Sequence, residues 1–283
     1  MKLLRYLWNG LPTLGALQGS EIVRICDVAP EFQEMRQIAS CGLKALSRLA
    51  SRLHGAEPHL ELADAKLLAP IERPGKYLGI GLNYRQHAEK FARLGLARQQ
   101  QQLWFNKQTT CLAGPYDTIE PGVTEKLDYE VELGVLIGQA AKMVSYDEAR
   151  AHVFGYLVVN DVTARDWMFH SPTLTVGKSF DTYGPIGPWI VTTDEIPDPH
   201  VLGVRCYVNG ELRQNGNTSQ LISNIWAQIS YLSTAFTLEP GDILATGTPE
   251  GVGATMNPPR FLAKGDVVRC EIDNIGAIEN VVA

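Results

Sequence analysis

Along this chain, short runs of β-branched and aromatic residues are separated by glycine, proline and asparagine, and helical periodicity is confined to a few stretches. Apolar runs bounded by turn residues predict strands over residues 2–6, 21–27, 77–82, 129–137, 153–160, 189–191, 204–208, 243–245 and 267–272. Asn209-Gly210 lies between two such runs, and because both residues tolerate positive φ it predicts a type I′ hairpin. Residues 31–53 read as one amphipathic helix. Ser145 and Glu148 have capping-box spacing before a helix starting at Ala149. Leu221, Ile222, Ile225, Trp226, Ile229 and Leu232 recur every three or four residues after Ser219, which predicts a further helix with one buried face. Pro70, Pro74 and Gly75 punctuate the chain, so a small N-terminal α/β module is expected over residues 1–68 and a larger, mostly β domain over 69–283.

The stretch Asp128-Tyr129-Glu130-Val131-Glu132-Leu133 carries chemistry as well as structure. Side chains alternate faces along a strand, so Glu130 and Glu132 project together while Tyr129, Val131, Leu133 and Val135 project to the opposite, apolar and buried face. Two neighbouring ionised carboxylates repel each other and are costly to desolvate unless a cation neutralises them or one holds a proton. A second signal is the apolar run 155–159, which ends abruptly in Asn160-Asp161, placing a third carboxylate at a strand terminus. Three carboxylates without a nearby His or Cys cluster suit Mg²⁺ or Mn²⁺. The competing reading is a solvated acidic sheet face.

Composition narrows the class. A net charge of -6 without a Lys/Arg run argues against nucleic acid or anionic membranes as partners. The first ten residues contain Arg5, Asn9 and Gly10 and form no signal-peptide core, and no apolar run has membrane-spanning length, so a cytoplasmic protein is expected. Five cysteines without C-x-x-C spacing read as buried, reduced thiols. Gly79-Ile80-Gly81 and Gly251-Val252-Gly253 lack the third glycine of a dinucleotide fingerprint, and there is no Gly-x-Ser-x-Gly elbow for a serine hydrolase.

An ordered series of motifs resembles the fumarylacetoacetate hydrolase family, including its acylpyruvate hydrolase, oxaloacetate decarboxylase and 2-hydroxyhepta-2,4-diene-1,7-dioate isomerase branches. These are Gly79-Ile80-Gly81-Leu82-Asn83-Tyr84 with His87, the 128–133 stretch, Asn160-Asp161-Val162-Thr163-Ala164-Arg165-Asp166, and Gly177-Lys178-Ser179-Phe180-Asp181. Val208-Asn209-Gly210-Glu211, the 240–253 run beginning Pro240-Gly241-Asp242, and Lys264-Gly265-Asp266 complete it. The resemblance covers Lys76 to the C-terminus and implies an α+β, β-rich fold, a mixed β-sandwich or roll, usually a homodimer. It implies metal ligation by Glu130, Glu132 and Asp161, substrate binding by Arg165, Lys178 and Thr248, and catalytic roles for His87 as general base, Lys178 and Lys107.

The activity so implied is metal-dependent hydrolysis of a C–C bond in an acylpyruvate or related 2-oxo acid, such as fumarylpyruvate or maleylpyruvate. Isomerisation, tautomerisation or decarboxylation of 2-oxo acids on the same site is the alternative, and a non-catalytic metal-binding relic is the reading from a different class. Residues 85–102, with the glutamine run 99–102, are expected to form a lid. Two positions depart from the family pattern. Lys90 stands where a glutamate commonly follows the histidine by three residues, and Met168 stands where many members carry glutamine.

Overall fold

The computed structural model describes residues 1–93 and 101–283; the remainder of the expected lid, residues 94–100, lies outside the described residues. Its framework is a large mixed sheet of twelve strands among the described residues. From one edge the main path runs Leu60–Glu61, Glu21–Arg24, Leu11–Gln18, Lys2–Trp8, Gly184–Thr192, Val153–Asn160, Val131–Ile137, Ile243–Ala245, Tyr77–Gly81 and Leu103–Lys107. Lys2 pairs with Val191 and Leu3 with Ile190, so the N-terminal strands extend the same sheet that carries the central ones. A four-stranded sheet, Glu211–Asn217, Gly203–Val208, Val267–Ile272 and Gly276–Val281, packs against it. The expected β-rich α+β fold is present.

Val131–Ile137 and Val153–Asn160 are buried at every position, which is the signature of strands covered on both faces. The expected strand at 129–137 therefore needs two corrections. It begins at Val131, and the face bearing Glu132 is as buried as the apolar one. The Asn209-Gly210 turn forms as expected, with φ of 52° and 79°.

Other elements differ for local reasons. The helix expected over 31–53 is two helices, Met35–Ser40 and Gly42–Leu53, separated where Gly42 takes φ 76°. The first is capped reciprocally by Glu34 and Gln37. The strand expected over 21–27 stops at Arg24 and turns into one helical turn, Ile25–Val28. Ser145 and Glu148 do form their box, but only a 3₁₀ turn, Ala149–His152, follows. The helix after Ser219 starts at Ile225, with Asn224 accepting from the Ala227 N–H, so Leu221 and Ile222 precede it. Of the thiols, Cys111, Cys206 and Cys270 are buried, whereas Cys26 is exposed and Cys41 partly so. In the glutamine run, Gln102 is tied down, accepting from Trp104 Nε1 and donating to the Ala227 carbonyl. No helix among the described residues is long and apolar enough to cross a membrane.

Close strand approach is enforced by glycine at the sheet's centre. A Cβ on Gly155 would come within 2.5 Å of the Val191 carbonyl oxygen on the neighbouring strand. Because that atom is backbone, Gly155→Ala is expected to lower stability by about 1–3 kcal/mol, read as a lower urea midpoint; an unchanged midpoint would refute the close packing.

Candidate active site

The carboxylates converge because two antiparallel strands meet in register, Val131 opposite Asn160. Glu130 and Glu132 flank the start of one strand and Asp161 follows the end of the other. The junction is tied by the Asp161 N–H donating to the Glu130 carbonyl at 2.8 Å and the Glu130 N–H donating to Asn160 Oδ1 at 3.1 Å. One oxygen from each of Glu130, Glu132 and Asp161 then lies within 4.8 Å of the others, and all three residues are buried. The next strand, Ile243–Ala245, places Gly247 alongside, whose N–H donates to Glu132 Oε2 at 2.7 Å. Gly247 has φ 106°, and a Cβ there would sit 2.8 Å from Asn83 Cβ, so position 247 requires glycine.

Three cations surround this group. Lys178 Nζ bridges Glu130 Oε2 at 2.7 Å and Asp161 Oδ2 at 2.6 Å. Lys107 Nζ donates to Asp161 Oδ1 at 2.6 Å and to the Lys178 carbonyl at 2.5 Å. Arg165 spans Glu130 Oε1 at 2.6 Å and Asp128 Oδ2 at 2.8 Å, and its third nitrogen approaches the Met168 thioether at 3.7 Å. Asp128 is itself held by the N–H groups of Gly253 and Ala254.

The cluster is unbalanced. Asp128, Glu130, Glu132 and Asp161 are four carboxylates against the three cations Lys107, Lys178 and Arg165. Among the described residues Glu132 makes no ion pair. Burial, then the charges of Asp161 and Glu130, push its carboxyl well above the usual range. Glu130 goes the other way: burial alone would raise it, but Lys178 and Arg165 outweigh burial and hold it low. Burial works against the Lys178 ammonium too, and Asp161 and Glu130 overcome it. An all-oxygen donor set carrying excess buried negative charge fits a hard divalent ion, with Glu130, Glu132 and Asp161 as its holders.

Glu130 and Glu132 open into a cavity of about 260 Å³, with Asp161 fully buried behind its wall. Its polar wall is Glu130, Glu132, Arg165, Lys178 and Thr248. Ile80, Leu82, Leu103, Phe105, Met168, Phe169 and Leu174 supply apolar walls, and His87 projects in from the helix Arg85–Arg93. Burial drives the His87 imidazole down to about 4; Glu130 pulls it up, while Arg165, Lys178 and Lys90 add to the lowering. The sequence-expected residues are thus brought together, with two qualifications. Thr248 lines the cavity, but its hydroxyl donates to the Val131 carbonyl and accepts from Gln214. Lys107 is not among the cavity-lining residues and braces Asp161 and Lys178 from behind.

Three supporting residues carried no assigned role in the sequence reading. Asp128 and Asn160 stood inside quoted motifs, so their proximity to the ligands was the available signal. Gln214, which accepts from the Val131 N–H and donates to Thr248 and the Pro249 carbonyl, gave none, because its role depends on packing between distant strands.

Comparison with known proteins identifies the family. Residues 76–283 match the family model for the fumarylacetoacetate (FAA) hydrolase C-terminal domain. The mitochondrial oxaloacetate tautomerase fahd2 of Xenopus laevis is 43% identical over 290 residues, spanning 100% of this chain and 90% of that protein. A putative hydrolase of Burkholderia ambifaria is 42% identical over 286 residues, spanning 98% and 96%. Among solved structures, maleylpyruvate hydrolase from Sphingobium sp. SYK-6 in complex with manganese(II) and pyruvate superposes with a TM-score of 0.82 at 31% identity, covering 100% of this chain and 99% of that one. The chain belongs to the fumarylacetoacetate hydrolase family, whose members include hydrolases, isomerases and tautomerases.

The imbalance at Glu132 generates a test. Glu132→Gln should weaken Mn²⁺ binding at least about tenfold by calorimetry. Without metal its thermal midpoint should not fall, since the replaced carboxyl is driven toward its neutral form and has no ion-pair partner among the described residues. Undiminished Mn²⁺ affinity would remove Glu132 from the ligand set.

Proposed function

We propose that the chain is a divalent-metal-dependent tautomerase of a short 2-oxo acid of the oxaloacetate type, interconverting its keto and enol forms. The observation that carries this reading is a single small cavity combining an electropositive oxygen-binding end at Lys178 and Arg165 with an imidazole kept largely neutral above pH 4. At about 260 Å³ the cavity is smaller than the roughly 300–1,000 Å³ typical of drug-sized ligands, and it suits a short acid. The identity to a protein named as an oxaloacetate tautomerase supports the same choice.

Lys178 has three donors and spends two on Glu130 and Asp161, which leaves one for the substrate oxygen at C2. A divalent ion held by Glu130, Glu132 and Asp161 would supply Lewis-acid polarisation of the 2-oxo group. In enolisation the C3–H bond breaks, its electron pair forms the C2=C3 bond, and the proton passes to His87. Negative charge moves to the C2 oxygen, where Lys178 stabilises it until that oxygen takes a proton from water, and His87 gives its own proton back to solvent. Ketonisation is the reverse, with His87 returning the proton to C3. Arg165, fixed by Asp128, faces the substrate carboxylate, and the homodimer and cytoplasmic setting expected from the sequence belong to the same reading.

Hydrolysis of an acylpyruvate is the second reading, favoured by the maleylpyruvate hydrolase likeness. The residue one helical turn beyond His87 weighs against it: Lys90 is a cation, where an acid would help an imidazole activate water.

With Mn²⁺, the protein should speed enol-oxaloacetate decay to the keto form, followed by ultraviolet absorbance. His87→Ala should lower kcat about 10²–10⁴-fold while leaving oxalate binding intact. Wild-type-like turnover in that variant sinks the base assignment. Pyruvate release from acylpyruvates without tautomerase activity selects the hydrolase, and metal binding with neither activity selects the relic.

A further inference from the structure

Two of the three guanidinium nitrogens of Arg165 are committed to carboxylates. Nε donates to Asp128 Oδ2 at 2.8 Å and Nη2 to Glu130 Oε1 at 2.6 Å. Among the described residues the third nitrogen, Nη1, meets only the Met168 thioether, at 3.7 Å. A thioether is a weak acceptor, so one edge of a buried cation is left poorly satisfied at the wall of the cavity that both side chains line. In the reading above, that edge receives the substrate carboxylate.

The sulfur is held beside Arg165 by its own backbone. The Met168 N–H donates to the Ala164 carbonyl at 2.9 Å. Gly177 lies against the same residue, since a Cβ there would stand 2.4 Å from Met168 N and Met168 Cα. Met168 is therefore wedged between the Ala164 turn and the segment that carries Lys178, and its main chain cannot retreat from Arg165. Although the residue is only 7% exposed, it lines a cavity large enough for a short acid, which admits the smaller hydrogen peroxide molecule. Met35, fully buried in the core, and Met143, 68% exposed, lie outside that lining and serve as internal references.

We propose that Met168 is an oxidation site whose sulfoxide captures Arg165 and closes the anion-binding edge of the cavity. The proposal rests on the assignment of Arg165 to the substrate carboxylate. The sulfur lone pair attacks one oxygen of hydrogen peroxide. The S–O bond forms as the O–O bond breaks, and the departing hydroxide takes up the remaining peroxide proton to leave as water. Sulfur is oxidised by two electrons and the peroxide is reduced by two. The product carries a polar oxygen in place of a weak sulfur acceptor, so Nη1 gains a strong intramolecular partner where it otherwise waits for a carboxylate. Methionine sulfoxide reductases reverse the step, which makes the block reversible.

The test oxidises the full metal-free chain with hydrogen peroxide, removes the peroxide, and then loads Mn²⁺. Peptide mass should show one added oxygen on Met168. By calorimetry, oxalate should bind the oxidised protein about tenfold more weakly, as expected for loss of one charge-assisted contact, while Mn²⁺ affinity stays the same. Treatment with methionine sulfoxide reductases should restore oxalate binding. In Met168→Leu, oxalate affinity should be the same before and after peroxide, although Met143 is oxidised as in the wild type. Met168→Gln, which sets an amide oxygen beside Nη1, should weaken oxalate binding without any peroxide. Met168 left unmodified once Met143 is fully oxidised, unchanged oxalate affinity after its oxidation, or an equal loss in Met168→Leu overturns the proposal. So does a matching fall in Mn²⁺ affinity, which would place the damage at the triad. If the untreated protein tautomerises no 2-oxo acid, the proposed function falls, and the oxalate titrations still decide the role of Met168.

Discussion

At the centre of the large sheet, four carboxyl groups face three cations, and Glu132, the one without an ion pair among the described residues, must either hold a proton or meet an added cation. Charge in such a place is expensive because desolvation is paid in full, and partial pairing makes the unpaired member costlier. The surrounding architecture follows from that constraint. Glu130 and Asp161 are pinned by backbone bonds across a strand junction, Glu132 by the Gly247 N–H, and Arg165 by Asp128, which is anchored on Gly253 and Ala254. None of these groups can swing away to relieve the repulsion, so an incoming dication meets a preorganised oxygen set.

The acidic triad was legible in the sequence because it depends on two local regularities: period-two alternation at Glu130 and Glu132, and an apolar run ending at Asp161. Burial of the carboxylate face was not legible, since alternation alone cannot tell a solvated face from one covered by a second layer. The cations were legible only through motif order, because Lys107, Arg165 and Lys178 reach the site from separate segments. The strand Leu11–Gln18 was missed because Pro12 and Gly15 are poor strand residues. There the missing Cβ is used for packing, as one on Gly15 would meet Ile22 at 2.7 Å. The strand Leu103–Lys107 was missed in the same way, its start hidden behind the glutamine run.

The two ends of the cavity have different mechanical origins. The acidic end is built from strand termini at the middle of the sheet, where a change of volume or charge disturbs the core and several hydrogen-bonded neighbours. The opposite wall combines His87 on the helix with apolar side chains such as Leu103, Phe105, Met168 and Leu174, and helix positions such as Arg85 and Glu89 are exposed and bear little of the fold's stability. A substitution on that helix can therefore alter the surroundings of His87 while the triad and its cations stay where they are. Proteins so similar in fold bear the names of a tautomerase and a hydrolase, and the separation shows where such chains can differ without disturbing the sheet: on the helix rather than at the strand junction. On the proposed reading the surroundings of His87 set the proton transfer, and in this chain the residue one helical turn beyond the histidine is the cation Lys90.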